Sequence, residues 1–213
     1  MLAVAAGFAI AKWNQIGFQL ILVISALHFG FGDGAFKSEW NESRGITKAA
    51  FLKVSTYALP AGFLPVILPL TDSRALSALN RINPEIANWS GSINQTLRNI
   101  VLVLALIGLL LLLINKNFQA ALDLILLAIL SLLAPPLIAF AVYFGCWHAV
   151  RHTARLVPKL PKALVFARST KPLKAFISAV IPGLYAVLGT ILLAVGLMVF
   201  RPEYFDTGLL WTI

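Results

Sequence analysis

All three histidines of the chain fall in two short stretches, His28 in "HFGFGDG" (28–34) and His148 with His152 in "WHAVRHTAR" (147–155). On a helix, residues four apart leave the same face about one turn apart. One helix can therefore offer two imidazoles to one metal, as the H-E-x-x-H helix of metalloproteases does. Neutral imidazole suits iron, copper or zinc. Alone, H-x-x-x-H is a weak signal that more often marks paired core histidines, and the apolar setting sharpens it. Ionisable groups inside a bilayer are costly and usually functional. No glutamate accompanies the pair, which sets it apart from the zinc-protease helix, and three histidines are too few for the di-iron membrane desaturases.

The neighbouring residues suit a site. Asp33 could accept a proton from a ligand imidazole and fix its tautomer, or it could be a plain helix-end aspartate. Gly30, Gly32 and Gly34 around His28, and Gly145 three residues before His148, would let another helix or a ligand approach closely. Phe29, Phe31, Phe36, Phe140, Tyr143, Phe144 and Trp147 either line a long apolar pocket or simply pack. Asp123, in an apolar run, must be paired or wetted. Arg151 and Arg155 are expected to snorkel to lipid phosphates.

The elements that must carry these residues are membrane helices. Of 213 residues, 60% are hydrophobic and only 12% charged, against about a quarter charged in soluble domains. Uncharged runs cover 13–32, 54–71, 99–115, 124–150 and 175–200, and a helix needs about 20 apolar residues to cross a bilayer. Proline ends a helix and is welcome at the first position of the next, so Pro135-Pro136 splits the fourth run. Helices are expected near 16–36, 52–71, 98–115, 118–134, 136–156 and 175–200, with a partial one near 1–11. The whole chain reads as a single all-α integral membrane domain, a polytopic bundle of about six full helices. Pro60, Gly62, Pro65 and Pro69 predict a kink or broken turn in the 52–71 helix, and 72–97 reads as an extramembrane loop.

The net charge of +9 is explained by topology rather than by nucleic acid. Residues 151–174 hold Arg151, Arg155, Lys159, Lys162, Arg168, Lys171 and Lys174 and no acid, which places that segment in the cytoplasm. Lys37, Arg44, Lys48, Lys53 and Lys116 then also lie inside, and Trp13 and Trp40 fall at opposite interfaces. His28 comes as far past the expected start at 16 as His148 comes past 136. The three histidines are therefore expected at similar depth. The lone Cys146 excludes an internal disulfide.

"HFGFGD" and "WHAVRH" resemble, in order and spacing, the two later histidine motifs of the Brp/Blh-type (bacteriorhodopsin-related protein) β-carotene 15,15′-dioxygenases. The resemblance implies an iron(II) centre held by four histidines that cleaves the central double bond of β-carotene with dioxygen to two retinals. His28, His148 and His152 match three of the four ligands. The earlier histidine, in an H-G-x-x-D-like motif, has no counterpart here, and the apolar start of the chain predicts a shortened reading frame. The partners implied are β-carotene, dioxygen and the bilayer of a cell membrane, with a rhodopsin as candidate receiver of retinal. A carotenoid- or metal-binding protein without activity, or a transporter, is the alternative. Against a transporter, the chain shows no repeated halves.

Overall fold

The structure is a computed structural model that describes residues 2–45 and 51–200, with side chains in the first helix from Asn14 onward. Trp13, Lys48, the Lys53 side chain and the C-terminal tail, all used in the topology reading, lie outside the described residues. The described residues form helices joined by turns, with no strand among them: α1 Leu2–Ser43, α2 Phe51–Ile67, α3 Ser73–Ile82, α4 Pro84–Ala87, α5 Asn94–Ile114, α6 Phe118–Leu133, α7 Pro136–Val142, α8 Ala149–Leu156, α9 Pro161–Arg168 and α10 Pro172–Phe200. A π-helical stretch, Tyr143–His148, links α7 to α8. The fold is all-α and membrane-like, with four segments long and apolar enough to cross a bilayer among the described residues: Asn14–Ser43, Val54–Thr71, Pro84–Ile114 and Pro172–Gly189.

That is fewer than the six full helices expected, for identifiable reasons. The partial helix near 1–11 and the helix near 16–36 are one helix, α1, because no proline interrupts Asn14 and Gln15. Phe118–Leu133 has 16 residues, about 24 Å at 1.5 Å per residue, short of a hydrocarbon core of about 30 Å. The element expected over 136–156 changes hydrogen-bonding pattern at Tyr143. The 72–97 segment, expected as a loop, folds into α3, α4, one short 3-10 turn and the start of α5.

The chain divides into two compact units, with the boundary between Phe144 and Gly145. In the first unit α2 is the central element, and Pro60, Ala61, Leu64 and Pro65 are all buried. Its helix runs through Pro60 and Pro65 and ends at Ile67, after which Pro69–Thr71 tightens to 3-10. α1 lies against it backbone to backbone. A Cβ built on Gly30 would stand 2.0 Å from the Ala58 carbonyl oxygen, and one on Gly62 would stand 1.9 Å from that of Ala26. Small residues permit this approach where lipid offers no hydrophobic drive to association. Gly34 lies against the side chains of Val54 and Ala58, 2.9 and 3.1 Å from where its Cβ would stand.

α5 and α6 form a hairpin on α2, burying Val101, Ala105, Leu112, Leu124 and Leu127 while exposing Leu106, Leu110, Leu122, Leu126 and Leu133. A helix apolar all round belongs in lipid. The 72–93 segment is tied to the start of α1 by polar contacts. Asn14 donates to Glu85 at 2.5 Å, Gln15 to the Asn88 carbonyl at 2.8 Å and Gln19 to the Trp89 carbonyl at 2.5 Å. The Trp89 indole is buried, edge-on to Phe18 at 6.3 Å. In the second unit, α8 and α9 pack on α10 through Ala163, Ala175 and Ala179, all buried.

Candidate functional site

In the first unit the "HFGFGDG" stretch lies within α1. His28 is exposed, its ring 5.7 Å from that of Phe29. Phe29 in turn meets Tyr143 edge-on at 6.2 Å and Phe144 at 5.6 Å, and Phe144 stacks on Phe140 at 6.0 Å. Of the aromatics expected to line a pocket, these form one ring cluster, whereas Phe36 stacks on Trp40 instead. Asp33 is fully buried and accepts a hydrogen bond from the Tyr143 hydroxyl, Oη to Oδ2 at 3.1 Å. A buried carboxylate needs such donors. Tyr143 itself is fully buried and opens the π-helical stretch.

One turn beyond Asp33, Lys37 reaches Asp123 of α6 at 2.5 Å with both side chains largely buried, and its ammonium lies 4.9 Å from the Tyr57 ring centre. The expectation that Asp123 is paired therefore holds. Lys37, counted as a topological charge, is also part of a three-helix clasp.

The second unit carries the histidine pair. His148 ends the π stretch and His152 sits in α8. His148 is buried and His152 exposed, with ring centres 6.0 Å apart and planes 22° from parallel. Imidazole nitrogen binds such metals at about 2.1 Å, so two rings sharing one metal have centres within roughly 6.5 Å. The pair fits that limit, and its donors are chemically right for iron. Among the described residues, no three histidine, cysteine, aspartate or glutamate side chains already surround one point closely enough to hold a metal. Nothing lies within 4 Å of a Cβ built on Gly145, so the close approach expected there is not used among the described residues. The Arg151 guanidinium stacks over Trp147 at 4.5 Å.

One feature went unforeseen, and a second was foreseen only at Phe140. π-Helical turns are rare and concentrate at functional sites, and Tyr143–His148 ends on a histidine. The first unit also contains a cavity of about 410 Å³ walled only by apolar side chains, among them Phe18, Leu22, Pro65 and Phe140. The cluster of prolines at 60–69 and 135–136 was the available sequence signal for it.

No curated protein and no solved structure matches the chain. A family model described as β-carotene 15,15′-dioxygenase matches residues 1–211, which takes in both histidine motifs and every described helix. The chain belongs to the β-carotene 15,15′-dioxygenase family.

Proposed function

We propose that this chain is a non-haem iron dioxygenase that opens the central double bond of β-carotene. One atom of dioxygen ends on each of the two retinal aldehydes. The observation that carries the reading is the imidazole pair, His148 and His152, 6.0 Å apart at the end of a π-helical turn in a chain of this family. His148, His152 and His28 would hold the metal. Iron(II) bound there would supply the dioxygen chemistry.

The protein's own residues do the rest. Neutral imidazoles would add no charge of their own to a metal held there. Asp33, held by Tyr143, steadies α1 just over one turn from His28. The Phe29, Tyr143 and Phe144 rings give His28 an apolar flank. β-Carotene is wholly apolar and dissolves in the bilayer, so access is lateral, from lipid. The basic 151–174 segment faces the cytoplasm, in keeping with the positive-inside rule, and the chain sits in the cell membrane as one integral domain.

The test is iron content and retinal formation in the purified full chain and in His28→Ala, His148→Ala and His152→Ala. Each variant is expected to lose iron and at least a hundredfold in retinal formation, while inserting into membranes normally. Full activity in any one of them removes that histidine from the site. Carotenoid binding that survives in all four proteins without retinal from any would favour the non-catalytic binder.

A further inference from the structure

Resting on the reading of the chain as a carotenoid-cleaving enzyme, we propose that the apolar cavity of the first unit seats one terminal ring of β-carotene. Five stretches of chain build it: Phe18 and Leu22 from α1, Pro65 from α2, Pro69 from the turn that follows, Ala78 from α3 and Phe140 from α7. No lining side chain carries a polar atom. Such a lining offers no hydrogen-bond partner to a headgroup, a retinal aldehyde or a water. A hydrocarbon is the ligand it suits.

Size then selects which part of the molecule enters. The cavity holds about 410 Å³, within the range of small-molecule sites. A methylated six-membered ring of about ten carbons, each with roughly the ~30 Å³ share of a liquid water, needs about 300 Å³. The whole molecule, at about forty carbons on the same scale, needs about 1,200 Å³. A ring and the first bonds of the polyene fit, and the rest must lie outside.

Placement agrees. Leu22 and Phe18 precede His28 on α1 by six and ten residues, which is about 9–15 Å along the axis. That is the scale of half an extended carotenoid. A ring seated against them leaves the middle of the polyene at the level of His28. The proline rings at 65 and 69 fix the backbone of two walls, so the seat is formed before the ligand arrives. The same hydrocarbon chemistry could come from a lipid acyl chain, which is thin and lacks a ring, and the experiment separates the two.

The full chain in phosphatidylcholine nanodiscs would be titrated with β-carotene, and binding followed by the carotenoid's visible absorption. Ala78→Trp fills the cavity and should raise Kd at least tenfold without changing iron content. Free β-ionone should compete with β-carotene in the wild type, whereas a change from short to long lipid chains should not. Because Ala78→Trp could misfold, a β-carotene analogue with a photoreactive group on its ring would also be cross-linked to the wild-type chain. Label is expected on peptides within 18–22, 65–79 or 136–140. Label elsewhere, an unchanged Kd in a folded Ala78→Trp, or displacement by lipid chains but not by β-ionone would overturn the assignment. Binding is read without turnover. A chain that labels here yet forms no retinal sinks the dioxygenase reading alone, and one that forms retinal but labels elsewhere sinks the ring seat alone.

Discussion

Gly30→Ala tests the contact that fixes where α1 presents His28 and Asp33. The added Cβ would stand 2.0 Å from the Ala58 carbonyl oxygen and 3.0 Å from both the Ala58 carbonyl carbon and the Gly62 nitrogen. Ordinary contact begins near 3.4 Å, so α1 and α2 must part by roughly 1.4 Å. All three obstacles are backbone atoms, and no rotamer change can move them aside. A gap of 0.5–1 Å already forfeits a quarter to a half of each dispersion contact, and Ala26, Ala58 and Gly62 all lie along the seam. Overpacking costs about 1–3 kcal/mol, and the rigid obstacle puts this case near the upper end. Replacing glycine by alanine inside a helix returns about 1 kcal/mol, so the net loss is about 2 kcal/mol, a factor of roughly 30 in the folded-to-unfolded ratio. Gly183→Ala is the control, since nothing lies within 4 Å of its Cβ and only the propensity gain applies. Denaturant unfolding of the full chain in nanodiscs, read by circular dichroism, should order the proteins Gly183→Ala, wild type, Gly30→Ala. A Gly30→Ala chain as stable as the wild type would show that the helices are not seated backbone to backbone.

Lys37→Leu or Asp123→Leu alone should cost about 1–3 kcal/mol, because each removes one partner of a part-buried ion pair, whereas the double variant should lie within about 1 kcal/mol of the wild type. A double-mutant cycle read by unfolding checks this, and additive losses would refute the clasp. Tyr143→Phe removes the hydroxyl from a fully buried Asp33 and should cost about 1–3 kcal/mol. Full restoration by Asp33→Leu on top of it would show the lost bond to be the cause. Asp72 caps α3, accepting from the Arg74 amide at 2.8 Å. The Arg74 side chain bonded to it holds its carboxyl below the usual value of 3.8. A depressed folded value means the cap contributes fully above the unfolded value and is lost as pH falls through the folded one. Stability should therefore drop below about pH 3.8 more steeply in the wild type than in Asp72→Asn.

Much of this architecture is written in simple features of the sequence. The long uncharged runs locate α5 and α10, and Pro135-Pro136 marks the break, where Ala134 and Pro135 turn extended. The histidine pair is legible because four-residue spacing survives on any helix. What escaped did so for physical reasons. Asn14 and Gln15 look like a loop when hydropathy alone is read, yet their amides are spent on Glu85 and the Asn88 carbonyl and the helix passes straight through. Lys37 counts as a topological charge until a partner 86 positions away is brought to it. The 72–97 stretch is too polar to span, but an amphipathic helix with buried Ala75 and Ala78 can still pack against the Pro69–Thr71 turn and α7. The π turn leaves no mark in the apolar periodicity, since one residue too many looks like any other.

That surplus residue sets the phase of everything after it. Each residue advances an α-helix by about 100°, so deleting one position within 143–148 and letting the turn relax to α geometry would swing α8 by about that angle. His148 and His152 would move together, still four apart and still a pair by any motif, yet aimed at a different neighbour. Insertions and deletions here thus act as a rotary adjustment that substitutions cannot mimic. Length at this one turn therefore matters to where the pair points as much as the identity of the histidines themselves.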